Sequence, residues 1–343
     1  MVRVRQRGEE IRQFILTNIE KHSKDVATLT SQEFGITRQA VNKHIQRLVK
    51  QKAIVAKGST KNRSYHLHPL IEWNQTYQLS SKLEEDIVWD SDIKALMSDL
   101  PDNVRNIWFY GFTEMLNNAI DHSFGKEVVV QVQRTAIDTE IIIYDDGEGI
   151  FKKIQRELNL HDERQAVLEL AKGKFTTDPD RHSGQGIFFT SRMFDAFKII
   201  SGNVCFSHEF KKAEDWILES HNPQPGTAVF MKLDNNTART AKKIFDLFSS
   251  GDDYAFTKTI VPVHLAQYSD EKLVSRSQAK RLLSRVDKFK VVVFDFTGVE
   301  TIGQAFADEI FRVFKKQHPE IEIMSLNSNK DVAQMISRTE HSS

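Results

Sequence analysis

The sequence predicts a multidomain protein: a basic, mostly helical amino-terminal module closed by a β-hairpin, an α+β central domain, and a small α/β domain at the carboxyl end. Three observations carry this. The chain has 343 residues, more than one ordinary core organises, and at about 100–200 residues per domain two or three domains are expected. Its charge is divided, because residues 1–68 hold 14 Lys/Arg against 5 Asp/Glu while the whole chain is formally neutral. The apolar periodicity also changes along the chain, from helical at the start, through a mixture of helix and strand, to strands alternating with helices after residue 255.

Composition narrows the class. Forty per cent apolar and 27% charged residues are ordinary for a chain folded almost throughout. No apolar run reaches the roughly 18–20 residues that span a bilayer, and the basic start has no apolar stretch behind it, so no membrane partner and a cytoplasmic address are expected. The single cysteine, Cys205, lies in a strand-like stretch and is expected to fill core space.

At the basic end, Ile11, Phe14, Ile15 and Ile19 recur at helical spacing, and a second short helix is read over residues 25–34. Gly35 breaks the pattern, and Thr37 is the expected N-cap of a third helix with Val41, Ile45 and Leu48 on one face and Arg38, Gln39, Asn42, Lys43 and Gln46 on the other. Residues 53–56 and 64–67 read as two strands around a loop carrying Lys57, Lys61 and Arg63. The stretch Phe34-Gly35-Ile36-Thr37-Arg38-Gln39-Ala40-Val41-Asn42-Lys43-His44-Ile45 resembles the turn and recognition helix of winged helix-turn-helix regulators, over roughly residues 8–68. The resemblance implies a 1–68 DNA-binding domain in which Arg38, Gln39, Asn42 and Lys43 face the major groove of double-stranded DNA. Lys57, Lys61 and Arg63 would then grip phosphate from the wing. Paired half-sites would make a second copy of the chain a partner. The other reading of these charges is a solvated three-helix module that docks protein.

Residues 69–100, with the periodic set Leu83, Ile87, Val88, Ile93 and Leu96, read as a helical connector. The next helix carries Glu114 and Asn118 four residues apart, hence on one face. A carboxylate and a carboxamide so placed suit orienting a water and completing a magnesium shell. Two strands follow, and the second ends in Asp145-Asp146-Gly147-Glu148-Gly149-Ile150, where glycines let backbone approach a ligand and Asp145 can accept from an exocyclic amine. Next in order come Gly173-Lys174-Phe175-Thr176-Thr177, Ser183-Gly184-Gln185-Gly186-Ile187 opening a helix, and Gly226-Thr227-Ala228-Val229 entering a strand. Amides at a Gly-rich helix start suit phosphate.

This ordered set resembles the GHKL (Bergerat-fold) ATP-binding domain of gyrase, chaperone, histidine-kinase and mismatch-repair ATPases, over roughly residues 80–233. The resemblance implies an α+β sandwich, placed at 101–235, that binds ATP and Mg2+. It makes Asn118 the magnesium ligand and Glu114 the general base, while Asp145 reads adenine with support from Thr227. Gly147 and Gly149 shape the adenine pocket beside Ile150, and Gly184 and Gly186 wrap the phosphates between Ser183 and Gln185. In the lid between residues 150 and 183, Lys172, Lys174 and Arg181 are expected at the phosphates. No Gly-x-x-x-x-Gly-Lys-Ser/Thr string occurs, so the site is not of the Walker type. Residues 69–121 hold no histidine, which argues against histidine autophosphorylation, and His122 reads as a structural or site-supporting residue.

After an expected linker over 235–253, helix periodicity in 273–286, the apolar strand 291–296, a helix over 306–314 and a strand over 321–324 indicate a small α/β domain at 255–343. The segment Phe294-Asp295-Phe296-Thr297-Gly298-Val299-Glu300-Thr301-Ile302-Gly303-Gln304-Ala305-Phe306 resembles STAS-like (DUF4325-type) domains, related to anti-sigma-factor antagonists. Where antagonists carry Asp-Ser before the helix, this chain reads Gly303-Gln304, so partner binding is expected rather than a serine switch, with Gln304 marking the contact loop. Together the resemblances imply a transcriptional regulator in which ATP binding or hydrolysis controls DNA or partner binding. The alternative is an anti-sigma-type serine/threonine protein kinase or ATPase with an attached STAS-like partner domain. A third reading is a non-catalytic nucleotide scaffold.

Overall fold

The computed structural model describes residues 2–59, 62–175, 184–210, 215–249, 255–267 and 271–341. It divides into two compact units, one of residues 1–75, 130–141 and 232–237, the other of residues 76–129, 142–231 and 238–343.

In the first unit, α1 (Val2–Asn18), α2 (Val26–Phe34) and α3 (Arg38–Lys50) precede an antiparallel pair, β1 (Ile54–Lys57) and β2 (Ser64–Leu67). Ile11, Ile15 and Ile19 meet Val41, Ile45 and Leu48 in one core, where each buried aliphatic chain contributes about 1.5–3 kcal/mol. The Thr37 hydroxyl caps α3 by accepting from the Ala40 amide at 3.2 Å, so the helix starts where the sequence places it. Ala136 and Ile137 pack against the same core.

Residues 69–100, expected as a helical connector, begin instead with a strand, β3 (Ile71–Gln78). Ile71, Trp73 and Tyr77 are half-buried between exposed neighbours, the two-residue period of a partly covered strand. Helix starts only at α4 (Glu85–Val88), which continues through a π turn and a 3-10 turn to Met97.

The chain then runs through α5 (Asp102–His122), β4 (Glu127–Arg134), β5 (Asp138–Asp145), α6 (Ile150–Glu157), α7 (Glu163–Lys172), α8 (Gly186–Met193), β6 (Ala196–Glu209) and β7 (Trp216–Asp234). A five-stranded sheet has the order β3-β4-β5-β7-β6. Val128, Val130 and Val132 on β4 and Thr139, Ile141 and Ile143 on β5 turn inward in strict alternation. Helix α5 buries Trp108, Phe112, Met115 and Leu116, with the Trp108 ring centroid 4.7 Å from that of Phe194. Cys205 on β6 is half-buried, and burial pushes its thiol up.

The expected linker over 235–253 contains a helix, α9 (Ala241–Phe248), capped by the Thr240 hydroxyl. Its Phe245 meets Phe189 at a tilt and its Phe248 meets Phe188 edge to face, with centroids 4.6 and 4.9 Å apart, so aromatic burial overrides the linker-like composition.

A three-stranded parallel sheet follows, ordered β10-β9-β8, from β8 (Lys258–Pro262), β9 (Val291–Asp295) and β10 (Glu322–Leu326). Between β8 and β9 lies α10 (Arg276–Leu283), opened by a capping box of Ser275 and Gln278. Between β9 and β10, α11 (Gln304–Asp308) continues through a π turn into α12 (Lys315–Gln317), and α13 (Lys330–His341) ends the described chain.

Candidate functional site

Glu114, Asn118 and His122 occupy successive turns of α5, four residues apart, and all three line one cavity of about 320 Å³. That volume lies in the lower part of the range for small-molecule sites, about 300–1,000 Å³. The opposing side comes from the end of β5. Asp145 is 5% exposed and accepts from the Gly147 amide at 2.9 Å. Burial pushes its carboxyl up to about 6, although the hydrogen bonds from Gly147 and Thr227 pull the other way.

Gly149 stands at the N-cap of α6, and the first amide of that helix, Ile150, donates to the Thr227 hydroxyl at 3.0 Å. Thr227 is thus fixed beside Asp145 by backbone. Gly226 has φ +71, and a Cβ there would lie 1.8 Å from the Asp145 carbonyl oxygen, so the strand passes Asp145 only as glycine. At the start of α8, a Cβ on Gly186 would meet the Glu114 carboxylate at 2.0 Å, so the helix start and that carboxylate share one wall. The Phe175 amide donates to the Gly184 carbonyl at 3.1 Å.

Of the residues singled out from sequence, Glu114, Asn118, Asp145, Ile150, Gly184, Gly186 and Thr227 line the cavity together. Gly147 and Gly149 support it through backbone geometry, while Gln185 lines a separate hollow with Lys242 and Phe245. Ser183 and Arg181 lie outside the described residues. Lys172 and Lys174, expected at the phosphates, are engaged elsewhere. Lys174 Nζ donates to the Lys288 carbonyl at 2.7 Å and stands 4.5 Å from the Phe289 ring centroid. Lys172, 1% exposed, donates to Glu169 and to the carbonyls of Arg281 and Ser284.

Sequence reasoning missed Lys153 and, within the 173–177 string, gave Phe175 no role of its own. Lys153 is the only lysine or arginine among the described cavity-lining residues. Its Nζ donates to the His122 carbonyl at 3.0 Å and lies 4.6 Å from the Phe124 ring centroid, and burial lowers its pKa. The signal was its place one turn into α6, directly after the glycines. Above Glu114 on α5, Tyr110 is half-buried, and burial together with the Glu114 charge raises the pKa of its phenol. No group of three or more His, Cys, Asp or Glu side chains could hold a metal among the described residues. A magnesium ion at Asn118 would therefore take most of its oxygens from a bound phosphate and from water, the usual habit of this ion.

The basic end offers a second surface. Arg38, Gln39, Asn42 and Lys43 are exposed on the face of α3 opposite its buried Val41, Ile45 and Leu48, and Arg38 is hydrogen-bonded to the Thr28 hydroxyl. Lys57 and Arg63 are exposed at the β1–β2 loop, and Lys61 lies outside the described residues.

Gln304, expected to mark a contact loop, is exposed at the start of α11. Hydrogen bonds between this end of the chain and α7, or Lys174 two residues beyond it, run through Thr259, Arg281, Ser284, Arg285 and Lys288. Residues 278–333 match the family model of a STAS-like domain of unknown function (DUF4325). No curated protein matches the chain. Among the described residues, no helix is long and apolar enough to cross a membrane.

Proposed function

We propose that this chain is an ATP- and magnesium-binding, DNA-binding transcriptional regulator, with a GHKL-type nucleotide site in the 114–227 cavity, a winged helix-turn-helix at residues 1–68 and a STAS-like end that meets protein. The observation that carries the nucleotide reading is the single cavity that joins Asp145, on one wall, with Glu114, Asn118 and the Gly184–Gly186 helix start on another. A buried carboxylate held by the Gly147 amide keeps acceptor capacity for an exocyclic amine. The opening amides of α8 suit phosphate oxygens. Asn118 would hold magnesium, which supplies charge neutralisation at the phosphates. Glu114, one turn before Asn118, would orient and deprotonate the attacking group.

DNA binding is supported by the charge division of the chain and by four exposed polar side chains on the outer face of α3. Arginine pairs with guanine, and asparagine or glutamine with adenine, in the major groove. The regulator reading is tested with the full chain and a fluorescent duplex, by anisotropy over a salt series with and without ATP and magnesium. DNA affinity falls steeply with salt, as counterion release requires, and shifts when ATP is added. Salt-independent or absent binding removes the DNA reading, and identical curves with and without ATP remove nucleotide control.

A further inference from the structure

The nucleotide cavity and the STAS-like region share a stretch of backbone. Lys172 closes α7 with its ammonium in the protein interior, where Nζ donates to Glu169 Oε1 at 2.7 Å and to the carbonyls of Arg281 and Ser284 at 2.9 Å each. Arg285, in a left-handed conformation with φ +60, forks back across the same stretch. Its guanidinium donates to Glu169 Oε2 at 3.3 Å and to the Lys174 carbonyl at 2.6 Å, and lies 4.9 Å from the Phe175 ring centroid. The buried Thr259 hydroxyl donates to the Lys172 carbonyl at 2.7 Å. Residues 172–175 are thus tied to the STAS-like end by both side chains and backbone.

The far side of the same stretch is cavity wall. Phe175 and Leu170 line the cavity, and the Phe175 amide holds the Gly184 carbonyl just before α8. We infer that Arg285 is a positioning residue of the nucleotide site: the STAS-like region sets the wall formed by Phe175 and Gly184–Gly186, so polyphosphate binding and STAS-like docking are coupled.

The physical ground is the burial of Lys172. All three of its ammonium donors are satisfied, two of them by carbonyls of the STAS-like end, so loosening that contact leaves a buried ammonium with Glu169 alone and two donors without acceptors. Such a contact is made or broken as a whole. A ligand that favours one arrangement of Phe175 and Gly184 therefore favours one docking state, and linkage makes the effect reciprocal. The inference rests on the nucleotide reading of the cavity, with phosphates on the Gly184–Gly186 side and adenine at Asp145.

The test is calorimetric titration of the full chain with ATP plus magnesium and, separately, with adenosine, for the wild type, Arg285→Ala, Arg285→Lys and Thr259→Val. Arg285→Ala weakens ATP about tenfold, within the usual span of coupling between sites, and leaves adenosine affinity unchanged. Arg285→Lys recovers part of the loss, because a lysine keeps the charge near Glu169 but cannot fork to the Lys174 carbonyl. Thr259→Val, nearly isosteric and at a residue that does not line the cavity, gives a smaller loss of the same selective kind. Parallel loss of ATP and adenosine in these variants, or unchanged ATP affinity, overturns the inference while leaving the nucleotide reading in place. A wild type that binds neither ligand overturns both.

Discussion

Replacing Asp145 by asparagine should stabilise the empty protein while destroying the proposed nucleotide site. Asp145 is 5% exposed, and burial raises its carboxyl from the ordinary 3.8 to about 6. The folded state therefore holds this proton more tightly than the unfolded chain. The corresponding stability is fully present below 3.8 and is lost as pH rises through about 6. At about 1.36 kcal/mol per pH unit, the whole loss amounts to about 3 kcal/mol. Asparagine keeps the shape and a carbonyl acceptor for Gly147 but carries no charge, so the empty variant gains up to about 3 kcal/mol at pH values well above 6 and converges on the wild type in acid. Urea unfolding across that pH range, followed by near-ultraviolet circular dichroism, reads the difference. A variant less stable than wild type at high pH, or a difference that does not change with pH, refutes the electrostatic account of Asp145. A misfolded variant cannot imitate the predicted pattern, since it is more stable when empty.

Three other outcomes follow from the same geometry. Gly226→Ala places a Cβ 1.8 Å from the Asp145 carbonyl oxygen at a φ of +71, and costs more than about 3 kcal/mol in thermal or urea unfolding. Lys172→Ala takes the donor from two carbonyls and leaves Glu169 with Arg285 alone, and costs about 2–4 kcal/mol, whereas Lys172→Met, which fills the space, costs less. Glu114→Gln retains ATP binding but loses phosphate release, measured by intact mass and free phosphate after incubation with ATP and magnesium, because a general base acts on the reaction more than on ground-state affinity. Equal turnover in wild type and variant removes Glu114 from that role.

What could be read in advance divides along physical lines. The start of α3 was legible because a single local hydrogen bond, Thr37 to Ala40, sets it. Strand β9 was legible because Val291 to Phe294 form a continuous apolar run of the kind a central parallel strand buries. The seven cavity residues singled out from sequence could be placed together because the pattern that marks them is local: four residues on a helix face, glycines around a strand end, glycines at a helix start. Strand β3 was missed because only Ile71, Trp73 and Tyr77 mark its alternation, and its pairing partners lie far along the chain. Helix α9 was hidden in a stretch with linker-like charges until Phe188 and Phe189 supplied an aromatic surface. The lysines of the lid show the limit most clearly. In sequence, a lysine beside a glycine-rich segment suits phosphate, yet Lys172 is claimed by carbonyls 109 and 112 residues away. No local pattern announces such a partner.

The central claim is that adenine nucleotide binds in the cavity between α5 and the end of β5, and calorimetric titration of ATP with magnesium into the full chain and its Asp145→Asn variant tests it most directly. The account predicts one ATP per chain for the wild type and none for the variant at the same concentrations, although the empty variant is the more stable protein. ATP binding equally to both, or to neither, would contradict it.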